Sequence, residues 1–423
     1  MRPALRTLTV RGRCVLAAGF AAAVSGIILQ ERDLLRVAIL LISLPLLATA
    51  LAARTRFRLR VVRRLEPARV GTGEQAAVVV RLENISRIPT GLLLVEDTVP
   101  YQLGGRPRIV LDRLRPNQPV DISYPVSGEI RGRYPVGPLT VRMMDPFGLC
   151  ELPRSFASID TLVVTPAIRT LPPVRLTGEW VGSGLSTARS IAAAGEDDTA
   201  TREYRHGDDL RRIHWRTTAR RGELTVRHEE QPWQSRGAVL LDSRSVAHRG
   251  EGPASSFEWA VSAAASVAVH LCRSGFTMRL VSDNGHELSS AGRTATSFRD
   301  VVVDALAVIE PSHRTDLSIG AATMRRDGSE GLVVAVLGAL TLAEAEQLTR
   351  MRSGTSSVGV AVLLDTASWT STPAVPGPRS SASYPASREL LTAAGWRVLE
   401  VRRGDALTDV WSRAGMATSG VRR

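Results

Sequence analysis

The pattern of apolar and polar positions divides the chain into three regimes. Residues 14–29 are apolar apart from Ser25 and the glycines, and residues 37–53 are interrupted only by Ser43, Pro45 and Thr49. Each run approaches the roughly 17 to 25 residues that a helix needs to cross hydrocarbon. Arginines at both ends can snorkel and lengthen that reach. The pattern predicts a transmembrane helical hairpin with arginine-rich flanks over residues 1–55. Beyond it, short runs at 59–62, 76–82, 91–95, 120–126, 139–143 and 161–165 lie between turn signals such as Gly71-Thr72-Gly73 and Arg115-Pro116-Asn117. Such spacing predicts antiparallel strands. A β-sandwich of immunoglobulin-like layout is therefore expected over residues 56–168, although no cysteine pair bridges it.

From Gly237 the pattern changes to strands (239–241, 277–281, 332–337, 358–364, 397–401) alternating with helices (257–271, 298–309, 342–351, 388–394, 407–414). Alternation of this kind needs crossovers and predicts a mostly parallel sheet covered on both faces. An α/β domain is expected over 236–423. Residues 169–235 read as a connector followed by the most charged and aromatic stretch of the chain, 202–230. There Gly207 permits a turn, Asp208 is placed as an N-cap, and Leu210, Ile213 and Thr217 follow at helical spacing until Gly222. Leu224, Val226 and His228 then alternate as a strand would.

Charge refines the picture. All 54 basic residues are arginine and the net charge is +13; twelve arginines against Glu31 and Asp33 within residues 1–64 place +10 there and leave +3 for the rest. The excess flanks the apolar runs, so no nucleic-acid partner is expected. Arg2, Arg6, Arg11 and Arg13 precede the first run and six arginines follow the second, whereas the tip, 30–33, holds one arginine and two acids. The positive-inside rule then puts both termini and the soluble domains in the cytoplasm. A cleaved signal peptide with a buried helix is the alternative. The second apolar run and its trailing arginines oppose it. Cys14, Cys150 and Cys272 match no metal spacing or disulfide framework and suit a reducing compartment.

Candidate chemistry concentrates in the charged stretch. His206, Asp208, Asp209, His214, His228, Glu229 and Glu230 could compose a metal or acid–base site, but no HExxH, paired-cysteine or nucleophile-elbow pattern organises them. Eight arginines, among them Arg202, Arg211 and Arg220, stand between these acids, so an ion-pair clasp or docking surface is the simpler reading. Catalysis and phosphate binding remain as alternatives. Trp215 and Trp233 are candidates to stack on the guanidiniums. The chain has no lysine and hence no P-loop for nucleotide hydrolysis.

Arg202, Tyr204, Gly207-Asp208, Asp209, Arg211, Ile213-His214-Trp215, Ala219-Arg220 and Leu224 together resemble the signature of a bacterial family, domain of unknown function fifty-eight. Arg131-Gly132-Arg133-Tyr134, Gly137-Pro138 and Asp145-Pro146-Phe147-Gly148 are similar to its upstream motif. The resemblance implies a membrane-anchored protein with a β domain and a von Willebrand factor A-like domain. It also implies the company of MoxR-type AAA+ ATPases and, often, of transglutaminase-like membrane proteins. The expected role is a non-enzymatic adaptor in a chaperone-like or envelope-assembly system; a membrane-tethered phosphoester hydrolase using the His and Asp residues of the signature is the alternative. A von Willebrand factor A-like domain carries a Mg²⁺ site built on Asp-x-Ser-x-Ser at the end of its first strand. Here Asp242 is followed by Arg244 and Val246 in the serine slots, with Ser243 and Ser245 out of phase. Thr315 resembles the threonine of the second metal loop, and Gly338-Ala339-Leu340 stands where an aspartate is expected. A degraded site and no cofactor are implied, with Asp242, Ser243 and Thr315 as the remaining metal candidates. Residues 145–148 are expected to form a tight turn with Phe147 packed inward, a binding loop being the alternative.

Overall fold

The computed structural model describes residues 8–54, 58–145, 147–174, 201–203, 215, 218–219, 222–223, 225–227, 236–326, 331–351, 358–370 and 383–415. It divides into two compact units, residues 1–165 and 166–423, each taken by itself.

The first unit opens with helices α1 (Val10–Ile28) and α2 (Arg32–Arg54), both long and apolar enough to cross a membrane. They pack through small residues. Gly12, Gly19 and Gly26 are the buried positions of α1; a Cβ on Gly19 would meet Ile42 Cγ1 at 2.7 Å, and one on Gly26 would meet Leu35 Cγ at 3.1 Å. Close helix approach of this kind is how apolar helices associate where lipid removes the hydrophobic drive. Phe20, Val24, Ile27, Leu40 and Leu47 point away from the unit and are exposed.

Three sheets follow. One has the order β1 (Leu59–Glu66), β3 (Gln75–Asn84), β6 (Pro119–Ser127); another β2 (Arg69–Gly71), β10 (Asp160–Thr165), β7 (Gly132–Val136); the third β5 (Arg108–Leu111), β4 (Leu93–Asp97), β8 (Leu139–Met144), β9 (Glu151–Phe156). Each buries alternate side chains, for example Ala76, Val78, Val80 and Leu82 of β3, into a shared apolar core. Arg63 departs from the sequence expectation. Instead of flanking the membrane it points into this unit, where Nε and Nη2 donate to Asp97 (3.1 and 2.8 Å) and Nη1 donates to Val136 O and Ser158 O (both 3.0 Å) and to Asp160 (3.2 Å). The Tyr124 hydroxyl adds a 2.6 Å bond to Asp97. Gly137, φ +116°, makes room: a Cβ there would lie 2.5 Å from Ser158 O and 2.8 Å from Arg63 Nη1.

The second unit is built on a six-stranded sheet in the order β15 (Glu287–Ser289), β14 (Thr277–Ser282), β13 (Arg236–Leu241), β16 (Leu332–Leu337), β17 (Val358–Leu364), β18 (Arg397–Val401). All pairings are parallel except that of the edge strand β15. Near-continuous apolar runs such as Leu-Val-Val-Ala-Val-Leu in β16 bury both faces. One face packs on α3 (Ser256–Arg273), α4 (Ala295–Ala307) and α8 (Leu407–Arg413). The other packs on α5 (Ser318–Arg326), α6 (Leu342–Thr349) and α7 (Ser383–Ala393). A separate ribbon pairs β11 (Thr201–Glu203) antiparallel with β12 (Thr225–Arg227).

Candidate site at the carboxyl edge of the α/β sheet

Strand order reverses about β13, whose neighbours are β14 and β16, and open α/β sheets hold ligands in the crevice beyond the strand ends at such a point. Asp242 stands there, its N–H bonded to Val336 O at 3.0 Å. Both carboxylate oxygens are engaged. Oδ1 accepts from Arg244 Nε (2.8 Å) and Arg244 N (3.1 Å); Oδ2 accepts from Arg244 Nη2 (2.8 Å) and Gly338 N (3.2 Å). Arg244 is wholly buried, and its Nη1 donates to Glu344 and, at 3.4 Å, to the carbonyl of Thr315. Glu344 in turn closes the capping box of α6, Oε2 accepting from Thr341 N at 2.8 Å while Thr341 Oγ1 accepts from Glu344 N at 3.3 Å. One glutamate thus ties the helix start to the buried cation.

Histidine and serine complete the cluster. His248 Nε2 lies 2.7 Å from Asp242 O, and because a carbonyl only accepts, Nε2 carries the proton. Nδ1 is then the acceptor for Ser256 Oγ at 3.2 Å, while Ser256 Oγ accepts from Arg249 N. Burial pushes the His248 pKa down, against the opposing pull of Asp242, so the ring is neutral. Burial alone would raise the Asp242 pKa, but hydrogen bonds and charge from Arg244 outweigh it and hold the carboxyl below its usual range. Burial likewise works against the Arg244 charge, and Asp242 and Glu344 outweigh it, so the guanidinium is held more firmly than usual. Ser243 donates its hydroxyl to Asp283, whose Oδ1 also accepts Ser243 N at 3.1 Å.

These residues do not fit a divalent cation. A Mg²⁺ ion requires free hard oxygens in near-octahedral array, and the Asp242 carboxylate is filled by a guanidinium and two backbone N–H groups. Ser243 faces Asp283, and Thr315 reaches the cluster through its carbonyl. The cation at this position is Arg244. Its sequence signal was an arginine two residues beyond the strand-end aspartate; that of Glu344 was the capping pattern Thr341-x-x-Glu344.

Next to the cluster, against β13, β14 and β15 and the end of α4, is a cleft of about 450 Å³. Leu241, Leu280, Leu306 and Val308 give it an apolar wall, and His286 and Glu310 are among its polar residues.

The signature segment is described only in part. Arg202 lies on β11, whose backbone pairs with β12. Trp215 is helical and 68% exposed. Gly222, φ +74°, bonds its N–H to Thr218 O at 2.9 Å, the left-handed stop expected there. Tyr204, His206, Gly207, Asp208, Asp209, Arg211, His214, Arg220 and Trp233 lie outside the described residues. In the upstream motif Arg131 is buried, and Gly132 opens β7 against the ring of Tyr134. Asp145 accepts Cys150 N at 2.6 Å and Phe147 N at 3.1 Å, closing a turn with Gly148 at φ +66°; Pro146 is outside the described residues. The turn differs from expectation in one respect: Phe147 points outward and is 64% exposed. Its place is against the start of α1, where Thr9 N–H and hydroxyl bond to Leu149 O (3.0 Å) and Gly148 O (2.7 Å).

Two apolar helices, a β-rich unit and an α/β unit whose strand-end aspartate is sealed by its own arginine make up the described part of the chain. Residues 200–369 match the family described as "Protein of unknown function DUF58". The "Uncharacterized protein YeaD" of Bacillus subtilis (strain 168) is 24% identical over 221 residues, 50% of this chain and 53% of the relative, so the match spans about half the length of each. Among solved structures, the complex of zinc 2-glycoprotein and prolactin inducible protein from human seminal plasma is similar over 26% of this chain and 98% of that one, at 14% identity and TM-score 0.21. The CARDB domain of the PF1109 protein of Pyrococcus furiosus, in complex with di-metal ions, is similar over 26% and 91%, at 18% identity and TM-score 0.19.

Proposed function

We propose that this chain is a membrane-anchored, non-enzymatic docking protein whose soluble domains face the cytoplasm and whose α/β unit is a von Willebrand factor A-like domain without its metal. The observation that carries the reading is the pairing of Asp242 with Arg244: a carboxylate with every lone-pair direction engaged is poorly placed to bind Mg²⁺ or to activate water. The sheet order, with its antiparallel edge strand, and the three sheets around one core in the first unit support the A-like and sandwich-like readings. The neighbouring apolar cleft offers a partner protein a place for a hydrophobic side chain, with Glu310 to meet an adjacent basic group.

The partner we propose is a MoxR-type AAA+ ATPase, with a transglutaminase-like membrane protein as a further component; this rests on the family resemblance. It also accords with a chain that lacks a P-loop of its own. The test is purification of the full-length protein from its own cells in mild detergent, with the bound proteins identified. An AAA+ ATPase should accompany the wild type and be depleted by Val308→Glu, which alters the cleft and spares the buried cluster. Recovery of the wild type without such an ATPase, with or without nucleotide, sinks the reading.

A further inference from the structure

The hairpin and the β sheets meet at one end of the first unit. The start of α1 is fused to the β8–β9 loop: Leu8 bridges Cys150, and a Cβ on Gly12 would lie 2.2 Å from Leu149 O. The end of α2 returns to the same place, because Arg58 follows Arg54 by four residues, roughly 14 Å at most, and Arg58 O accepts Ile85 N at 2.9 Å. Asn84 Nδ2 and Thr90 N donate to Leu114 O, Leu114 N donates to Thr90 Oγ1, and Met144 N donates to Leu92 O. The β3–β4, β5–β6 and β8–β9 loops therefore share the end from which both helices depart.

These loops carry an unusual surface. Ile88, Leu92 and Phe147 are exposed at 52%, 42% and 64%, on loops where turn chemistry would favour polar residues. Arg58, Arg87 and Arg115 are exposed among them. Of the acids in these loops, Asp145 is occupied by backbone N–H groups of its own turn, leaving Asp112. Apolar side chains interleaved with arginines, held level with the ends of two apolar helices, match the chemistry of an anionic headgroup layer above hydrocarbon.

We propose that this end of the β unit is itself a lipid-contacting surface, with Phe147 inserted at the interface beside α1 and Arg58, Arg87 and Arg115 on anionic headgroups. The inference rests on the reading of α1 and α2 as membrane spans and goes beyond it. A rigid seat on the bilayer, in place of a flexible tether, fixes the orientation of the β unit.

The test uses the full chain with Cys14→Ser and Cys272→Ser, reconstituted in phosphatidylcholine vesicles with and without phosphatidylglycerol. An environment-sensitive dye is attached at Phe147→Cys or at Tyr101→Cys; Tyr101 is 86% exposed beyond the opposite end of β4. The dye at 147 should shift to the blue and be quenched by headgroup-level spin-labelled lipid, and the dye at 101 should not. Arg87→Glu with Arg115→Glu should cut the quenching at 147 at least twofold in the anionic vesicles. A water-like dye at 147 in protein that stays with vesicles through alkaline carbonate overturns the seat and leaves the anchor standing. Release of the chain by carbonate overturns both.

Discussion

Arg244 grips Asp242 from two residues along the chain, Nε and Nη2 each 2.8 Å from one carboxylate oxygen, with both side chains fully shielded from water. A bidentate pair of this kind is the strong form of the ion pair, yet its desolvation makes it weak evidence for net stability. What it does is satisfy a carboxylate at the sheet's switch point with a tethered charge. Arg244→Ala should destabilise the α/β unit by about 3 to 5 kcal/mol, because Asp242 and Glu344 are left buried without their cation. Arg244→Ala with Asp242→Ala should cost less than the sum of the two single changes. Segment-resolved hydrogen exchange in urea checks this. In the wild type, millimolar Mg²⁺ or a chelator should leave the melting temperature unmoved.

Acid should loosen the same unit through His248. Its folded pKa is depressed below the ordinary 6.5 by burial, so the unfolded chain takes up the proton first. Stability is whole above pH 6.5 and falls as the pH drops through the window below it. His270, depressed by burial and then by Arg273, acts in the same sense. Melting temperature against pH between 7.5 and 5.5 should fall less steeply in His248→Gln than in the wild type. An unchanged slope contradicts the assignment of a neutral ring.

The β unit has its own buried pair. Tyr124→Phe removes a 2.6 Å bond to the carboxylate of Asp97 and should cost about 1.5 to 3 kcal/mol, as for other bonds to charged groups. Asp97→Ala should cost more, since it strands Arg63. Both effects should appear in exchange of β1, β4 and β6 and leave the α/β sheet unaffected.

The C-terminus should be cytoplasmic. A reporter fused there, or a cysteine introduced near it, should report the cytoplasmic side in intact cells. Labelling from outside by an impermeant thiol reagent contradicts both the orientation and the reducing environment of Cys272.

Long apolar runs were legible because a single pattern decides them: residues 332–337 and 358–364 are strands and 257–271 lies within a helix, as periodicity and alanine content indicate. Strands β5, β7 and β9 were not, since each is short and carries arginine or proline and is fixed by its neighbours more than by propensity. Helix α5, with a glycine and a threonine in nine residues, depends similarly on its contact with the sheet. At the site, Asp242 was legible from its position after a strand. The role of Arg244 was not, because sequence shows an absent serine and cannot show that a guanidinium reaches back to the same oxygens. In the sequence Arg63 stands in the run of arginines that flanks the second apolar stretch, and nothing there marks it as buried: charge is visible in sequence, burial is not.

The most direct test of the docking claim is photo-cross-linking from the cleft in living cells. A photoreactive amino acid at position 308, exposed beside the cleft, should capture an AAA+ ATPase. The same residue at position 300, exposed on α4, should not. Capture of no protein at 308, or equal capture at both positions, in cells where the chain is folded and membrane-bound, would contradict the account.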